Sequence, residues 1–526
     1  MVRNDTSTAG AARRSAWPVR LAYAYLTLPA VVFLVGWLEW WWLVLALAAL
    51  GVGFWRLWLR APKVWVPRWN RRTLVVAAVV GVFLMLGAAF SGVGGLSFQH
   101  GDHAWRNAIF EMLVIEPWPV VMTSRAGEIA LTYYFGFWLP AALVGKAFGL
   151  AVGWIALLAW TGLGLAVFAC LVMSLLERFA VWPVVVFAFF GGLDAVQKGI
   201  WNRLDDFVVP NSSIEFLDQH HLYAFTAFGD QLTTVFNQAI PAWVLTALIF
   251  AQRDGRSIVA LCALASIQCP LPVLGAGVIA VAWVIGQPRE GLGGGANRLW
   301  ARTRAAAREA VSLQSVLIGV IGLAVFGSFF ASSLNVGVLA LQLPQSWTDV
   351  ARLVVFWVFE FGIMLGLVDA RLRHTALWWA TLAIMLILPL TRFGAWNDLA
   401  MRAVIPAQVA LFLMVCWTLA AVKRPWRSLQ AAALAVVLLA GSGSVLHKLY
   451  FYGRADLGVV QAVAAGEDWR PIRDVSMRRL PVSWWRDPTA MEGYWTQYFG
   501  DPDSFFHRVL ARSPDVGPHL TSDLHG

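Results

Sequence analysis

The chain has 526 residues, of which 59% are hydrophobic and 13% are charged, and its mean hydropathy is +0.65. These values exclude an ordinary soluble globular domain and are typical of a polytopic membrane protein. The formal net charge of +10 does not indicate a nucleic-acid partner. Lys and Arg fall in short clusters between apolar runs, whereas nucleic-acid binding needs a continuous basic face.

About 20 apolar residues are needed to cross a hydrocarbon core of ~30 Å, and many runs in this chain meet that length. They are 21–38, 41–59, 73–91, 151–175, 178–193, 232–251, 257–286, 311–330, 351–369, 375–390, 403–422 and 428–446. Run 257–286 is interrupted at Gln268-Cys269-Pro270-Leu271-Pro272, which favours a hairpin of two short helices. The sequence therefore predicts an all-α polytopic membrane protein with about 13 transmembrane helices.

The basic clusters predict the orientation, because cytoplasmic loops are enriched in Lys and Arg. The clusters are Arg56 to Arg72, Arg253 and Arg256, Arg289 to Arg308, Arg371 and Arg373, and Lys423 to Arg427. With these loops and the N-terminus in the cytoplasm, four stretches face outward: loop 92–130, loop 194–230, the segment 392–402 and the tail 447–526. This arrangement requires that run 131–150 does not cross, and its Tyr133, Pro140 and Lys146 suit a tilted or re-entrant helix.

The outer loop 92–130, which follows a long apolar run, contains the polar stretch Gly101-Asp102-His103-Ala104-Trp105-Arg106-Asn107. Charged side chains near lipid are costly and are a functional hypothesis by default. If a short helix starts here, Asp102 shares one face with Arg106 and Asn107. Asp102 is then a candidate general base, and Arg106 a candidate phosphate or hydroxyl contact. The alternative is a solvated ion pair of a few tenths of a kcal/mol.

Loop 194–230 opens with Asp194 and is dense in charged residues, ending near His220-His221. With Asp218 these histidines could bind a divalent cation, but adjacent histidines point apart, so substrate hydrogen bonding is the preferred interpretation.

A third polar segment, Arg392 to Arg402, places two guanidiniums around the pair Asn397-Asp398 at an outer helix boundary. The guanidinium fork matches phosphate, so Arg392 or Arg402 could hold a lipid-linked phosphate. Snorkelling toward headgroups is an equally good explanation. Glu360 lies inside an apolar run, where a partner could simply neutralise it.

These features resemble the GT-C superfamily, multi-pass glycosyltransferases that take sugars from polyprenyl-phosphate carriers outside the membrane. The resemblance rests on Asp102 within 101–108, on Glu116-Pro117-Trp118-Pro119-Val120, on Tyr133-Tyr134-Phe135-Gly136 and Leu139-Pro140-Ala141-Ala142, and on Asn397-Asp398 with Arg402. It covers most of the membrane domain 1–446 but not clearly the tail 447–526.

The resemblance implies a bacterial plasma-membrane enzyme that moves a hexose or pentose from a polyprenyl-phosphate donor to a hydroxyl of a cell-envelope glycan or lipid. It implies that Asp102 is the base that deprotonates the acceptor and that Asp194 is a second acid. Donor and acceptor contacts would come from His103, Arg106, Asn107, His220, His221, Arg392, Asn397, Asp398 and Arg402. The chain lacks an Asp-x-Asp in the first loop, so the predicted transfer needs no metal and no cofactor.

A competing hypothesis is a transporter or flippase for a lipid-linked or anionic solute, with Glu360 and the broken helices as its site. Such a protein should concentrate polar residues at mid-membrane, whereas the sequence predicts most of them at one face. A third hypothesis, a non-catalytic scaffold, requires that Asp102 and Asp194 face no cavity.

Overall fold

A computed structural model describes residues 13–99, 101–124, 127–201, 223–287, 297–334, 337–394, 397–422, 428–464 and 496–513. These residues are mostly helical. The helices are α1 Trp17–Trp37, α2 Trp40–Leu59, α3 Arg71–Phe90, α4 His103–Ile115, α5 Leu139–Phe148, α6 Leu150–Leu175, α7 Trp182–Ala188, α8 Asp194–Trp201, α9 Phe228–Thr234, α10 Phe236–Ala251, α11 Ile258–Ser266, α12 Pro270–Gly286, α13 Asn297–Ala310, α14 Leu313–Ile321, α15 Ser328–Ala331, α16 Trp347–Trp357, α17 Ile363–Leu367, α18 Ala376–Ile387, α19 Asp398–Ala403, α20 Ile405–Ala421, α21 Leu429–Gly441 and α22 Gly443–Ala464.

The described strands are short and lie at the ends of the helical bundle. They are β1 Arg14–Ser15, β2 Val64–Trp65, β3 Val121–Ser124, β4 Gly127–Leu131, β5 Ala340–Leu341, β6 Thr391–Arg392 and β7 Phe499–Gly500. They form three antiparallel groups, in the orders β1-β2, β3-β4-β7 and β5-β6.

Within the described residues, eight helical segments are long and apolar enough to cross a membrane. They are Trp17–Trp37, Trp40–Leu59, Arg71–Phe90, Leu150–Leu175, Leu313–Ala331, Trp347–Leu367, Asp398–Ala421 and Leu429–Leu457. Shorter apolar helices cover Gly136–Phe148, Phe236–Ala251, Pro270–Gly286 and Ala376–Leu390. The chain is therefore a helical membrane protein, as its composition predicts, although the predicted run 178–193 contains only the seven-residue α7.

Helices at the centre of the bundle are buried on all sides, whereas helices at its periphery expose apolar side chains. α10 is buried along its whole length, and Trp243 packs there against Phe168, Phe187 and Phe228. α2 and α3 instead keep most of their apolar side chains exposed. A helix that is apolar on every side is stable at the centre of a bundle or in lipid, so the same composition serves both positions.

Loops rich in arginine meet at one end of the bundle, here called the basic end. Arg14 pairs with Glu177 at 2.8 Å, and Arg178 donates to the carbonyl of Ala420. The carbonyl of Arg256 accepts bonds from side chains at the start of α14, namely Ser312, Gln314 and Ser315. These contacts join the N-terminal strand to the end of α6, the end of α6 to the end of α20, and the loop after α10 to the start of α14.

The other end of the bundle, here called the polar end, collects the loops between α3 and α4, α4 and α5, and α18 and α19. The segment 496–513, here called the C-terminal clasp, packs at the same end. β7 pairs with β4, Leu38 bridges Ala511, and Arg512 donates from its backbone to the carbonyl of Trp37. Phe506 of the clasp is fully buried beside Phe329.

Two broken segments enter the bundle from opposite ends and meet inside it. The chain after β4 turns inward, and α5 returns to the polar end, where Lys146 donates to the carbonyl of Glu116. α11 and α12 form the hairpin predicted from run 257–286. At its tip the carbonyl of Ile267 accepts from Gly136, and Gln268 donates to Leu26, near the middle of α1. α5 has ten residues, about 15 Å, too few to cross.

The polar tail predicted from residue 447 begins later than expected. α22 continues from Gly443 to Ala464 and forms one apolar helical stretch with α21. Lys448 lies inside this stretch and is buried against Asp230 of α9. The boundary at 446 therefore falls within a helix, because a buried ion pair hides a charge that the sequence pattern assigns to solvent.

Candidate active site

The start of α4 brings an acid and a guanidinium together at the polar end. Asp102 is the residue preceding the helix, and Arg106 lies one turn later, so both project from the same face. Nη2 of Arg106 lies 3.4 Å from Oδ2 of Asp102. The Arg106 side chain is 9% exposed and that of Asp102 is 49% exposed. The predicted pairing is confirmed, with the acid at the surface and the cation beneath it.

α19 presents a second pair of the same kind. Nη2 of Arg402 lies 3.3 Å from Oδ1 of Asp398, and their side chains are 12% and 26% exposed. The helix is positioned by Asn397, which is fully buried with φ 55°. Its side chain accepts from the backbone of Phe393 and donates to the carbonyl of Thr391. Asn397, predicted to bind substrate, therefore anchors the loop before α19.

Two adjacent tyrosines connect these pairs. Tyr133 and Tyr134 follow β4, and their ring centroids are 3.7 Å apart. Tyr134 interacts electrostatically with Asp398, Arg402 and Arg106. The side chains from loops far apart in the chain thus form one cluster, which Asp102 also joins through its interaction with Arg402.

Both phenols are protonated at neutral pH, and burial raises their pKa values further. Burial raises the pKa of Tyr134 to about 12, an effect that Asp398 increases and Arg402 opposes. Burial also raises the pKa of Tyr133 well above its ordinary value. Neutral phenols can donate hydrogen bonds, so the cluster contains two hydroxyls and two guanidiniums.

Several donors of this cluster are unused. Among the described residues, Nε and Nη1 of Arg106 and Nε of Arg402 are buried and have no hydrogen-bond partner. Leaving charged donors buried without acceptors costs more than leaving neutral ones, so they need an explanation. An oxyanion between the two arginines would satisfy them, and guanidinium groups match phosphate geometry. The arrangement can hold an anion beside a half-exposed carboxylate.

Two predicted substrate contacts on α4 lie on its buried face instead. His103 is 1% exposed and its ring packs against Phe236 at 6.0 Å. Asn107 donates to Gln99 at 2.9 Å, and Gln99 donates to the carbonyl of Gly92. These residues fasten the loop after α3 to α4, because positions 103 and 107 are one turn apart on the inner side of the helix.

Asp194 does not join Asp102, contrary to the prediction of two acids in one site. It begins α8 and is 3% exposed. The preceding Leu193 bonds to the carbonyl of Phe359, and Gln197 donates to Glu360 at 3.2 Å. Glu360 lies seven residues before the end of the Trp347–Leu367 segment, about 10 Å along it. Asp194 is therefore inside the bundle, and the predicted outer loop does not begin at 194.

The long helix α22 separates the two acids. Gly443, at its start, faces Ala195, next to Asp194. Tyr452, nine residues later, interacts with Asp102. Nine residues of helix span about 13 Å. The density of charged residues after Asp194 predicted an outer loop. The sequence contains no signal for how deep inside the bundle α8 begins.

The remaining predicted residues lie elsewhere. Arg392 is exposed on β6, where it pairs through its backbone with Ala340. His220 and His221 lie outside the described residues. Within the described part of the chain, no group of three or more His, Cys, Asp or Glu side chains could hold a metal ion. Metal-independent transfer stays a prediction.

Two aromatic neighbours of the cluster were missed by sequence reasoning. Tyr498 of the C-terminal clasp stacks on Trp105 with ring centroids 5.2 Å apart and an interplanar angle of 9°. Tyr498 also lies 4.8 Å from the ring of Tyr133. The aromatic content of the tail was the only signal for this contact, and it does not specify a partner.

Comparisons of the chain with protein-family models, curated proteins and solved structures find no match. The cluster formed by Asp102, Arg106, Tyr133, Tyr134, Asp398 and Arg402 is therefore the basis on which a function is inferred.

Proposed function

We propose that this protein is a membrane glycosyltransferase that moves a sugar from a polyprenyl-phosphate carrier to a hydroxyl acceptor. The observation that supports it best is the pairing of a half-exposed carboxylate, Asp102, with the buried Arg106, whose Nε and Nη1 have no hydrogen-bond partner. A carboxylate can accept a proton from an alcohol, and two guanidiniums can bind a phosphate. The resemblance of the 101–108 and 397–402 segments to GT-C enzymes supports the same activity.

In the proposed reaction, Asp102 accepts the proton of the acceptor hydroxyl. The oxygen of that hydroxyl attacks the anomeric carbon of the donor. The bond between that carbon and the phosphate oxygen breaks, and the phosphate leaves with the bonding electrons. Arg106 and Arg402 stabilise the negative charge that develops on the leaving oxygen. Tyr133 and Tyr134, as neutral phenols, can donate hydrogen bonds to the same phosphate.

We place the basic end in the cytoplasm and the polar end outside, because Lys and Arg are retained on the cytoplasmic side. The active site would then face the extracytoplasmic side of a bacterial plasma membrane, where lipid-linked sugars and envelope acceptors meet.

Replacing Asp102 by Asn should lower sugar transfer by roughly 10²–10⁴-fold, because an amide cannot accept the proton. The assay uses purified protein in lipid nanodiscs, a panel of radiolabelled polyprenyl-phosphate sugars and an envelope lipid extract as acceptor. Glu177→Gln is the matched control, since Glu177 is 55% exposed and pairs with Arg14 at the basic end. Full transfer by the Asp102→Asn protein would remove this residue from the mechanism.

A second candidate, a transporter or flippase of an anionic or lipid-linked solute, is favoured by the buried Glu360 with Gln197 inside the bundle. Intramembrane carboxylates and broken helices are features of transport sites. If this candidate is correct, Glu360→Gln abolishes solute movement in liposomes while Asp102→Asn has no effect. The reverse pattern supports the transferase.

A further inference from the structure

A two-stranded ribbon lies at the polar end, beside the candidate active site. It consists of residues 337–343 and 390–394, and β5 pairs with β6 within it. Gln342 extends the pairing, since its backbone donates to Leu390 and its side chain donates to Pro389, both at 2.9 Å. The ribbon is therefore a defined element with its own hydrogen bonds.

Three leucines form an uncovered apolar face of this ribbon, and Val338 on the opposite face is 83% exposed. Leu339, Leu341 and Leu343 are 60%, 74% and 54% exposed. Residues at spacing two in an extended chain point to the same face. Three large side chains exposed side by side are unfavourable in water, and such patches mark surfaces that bind lipid or another partner.

The helix that leads to the ribbon is shorter than the hydrocarbon core is thick. From Ala376 to Leu390, the α-helix and its final 3₁₀ turn rise about 24 Å from the basic end. The hydrocarbon core is ~30 Å thick. If Ala376 lies at the boundary on the side of the basic end, the ribbon after Leu390 begins before the far boundary. In contrast, the neighbouring segment Trp347–Leu367 spans about 31 Å, which brings Trp347 to the interface.

The ribbon is joined directly to the active-site cluster. Asn397 binds Thr391 and Phe393, and the backbone of Asp398 donates to the carbonyl of Phe393 at 2.9 Å. Asp398 begins the helix that carries Arg402. Arg392 is exposed on the ribbon itself. A molecule with a hydrocarbon chain and a negatively charged head matches an apolar face that adjoins cationic groups.

We propose that the ribbon is the docking surface for the isoprenoid chain of the lipid carrier, whose phosphate reaches Arg402 and Arg106. This inference rests on the proposed function for the identity of the lipid. It adds the place where the chain of the donor binds and the route from the bilayer to the cluster.

The experiment uses photo-crosslinking in nanodiscs with a farnesyl phosphate that bears a terminal benzophenone and no sugar. Mass spectrometry then maps the labelled peptides. We expect labelling in 337–347, with unlabelled farnesyl phosphate competing and phosphatidylglycerol at equal concentration not competing. Leu339→Ser with Leu341→Ser should reduce this labelling at least fivefold, because polar side chains replace the apolar face.

The matched control is Leu86→Ser with Leu439→Ser, since these leucines are 59% and 74% exposed on α3 and α21. This control should retain ribbon labelling. If the double serine variant of the ribbon does not fold, Leu341→Ala tests the same face with a smaller change. The inference is overturned if label spreads evenly over lipid-facing helices, or if phosphatidylglycerol competes as well as farnesyl phosphate.

The proposed function and the ribbon can fail separately. The labelling assay contains no sugar, so Asp102→Asn should label like the unchanged protein. An active Asp102→Asn protein with a labelled ribbon would refute the proposed base and keep the ribbon. An inactive Asp102→Asn protein without ribbon labelling would refute the ribbon and keep the transferase.

Discussion

Arg402 illustrates what single residues contribute. It shares a helical turn with Asp398, and this part of its environment could be predicted from the spacing of the two residues. Its interaction with Tyr134 and Asp102 could not, because those residues lie more than 250 positions away in the sequence. The proposed phosphate contact therefore depends on contacts that only the fold creates.

Replacing Arg402 by Ala should weaken binding of a polyprenyl phosphate roughly 10- to 100-fold, because a charge-assisted contact contributes about 1.5–3 kcal/mol. Arg402→Lys should recover only part of this affinity, since an ammonium cannot form the two-pronged contact. Equilibrium binding in nanodiscs measures both. Arg508→Ala is the control, because Arg508 lies in the clasp and its side chain is 64% exposed. Unchanged affinity in Arg402→Ala would assign Arg402 to anchoring in lipid headgroups.

At the scale of elements, hydropathy predicted closely where the helices lie along the chain. It did not predict how deep inside the bundle each helix begins. Runs 73–91 and 151–175 correspond to α3 and α6 within two residues at each end. The run 178–193 was predicted to span, yet α7 stops at Ala188 and the chain turns at Gly191-Gly192 inside the bundle. Glycine is needed here because Gly191 packs directly on Gly441, at the junction of α21 and α22, and the two backbones leave no space for a side chain.

This glycine contact makes a prediction for stability. A Cβ at position 441 would lie 2.7 Å from the carbonyl oxygen of Gly191, which is backbone and cannot move aside. Gly441→Ala should therefore destabilise the fold by about 1–3 kcal/mol. Gly453→Ala in α22, where a Cβ meets nothing within 4 Å, is the matched control and should be neutral or stabilising. Thermal unfolding in detergent measures both. Equal melting temperatures would show that the junction tolerates a wider separation.

At the scale of the whole molecule, the C-terminal clasp ties the polar end together. It reaches Leu38, Leu131 and Ser333 through backbone contacts and places Tyr498 against Trp105. The basic clusters predicted only that the tail faces outward. Its register on β4 depends on residues more than 350 positions earlier, so it could not be predicted locally.

Docking of the clasp should depend on pH through His507. Burial lowers the pKa of His507 to about 4, from 6.5 in an exposed histidine, although Asp501 partly opposes this. The released segment therefore binds more protons than the docked one between these values. Docking should be strongest above pH 6.5 and should weaken as the pH falls toward 4.

Hydrogen-exchange protection of amides 496–513, corrected for intrinsic exchange rates, measures this docking at pH 7.5 and pH 5. His507→Gln should remove most of the pH dependence, because the amide does not titrate. If the variant loses as much protection between pH 7.5 and pH 5 as the unchanged protein does, the pH effect belongs to another group.

Composition and hydropathy were sufficient to predict that this chain is a helical membrane protein and where most of its helices lie. These properties follow from sums over consecutive residues, since hydropathy and loop charge are local quantities. The tertiary structure brings Asp102 near Arg402, places Asp194 deep beside Glu360, and buries His103, Asn107 and Asn397. Those outcomes depend on which helices become neighbours, because burial and charge pairing arise between segments far apart in the chain.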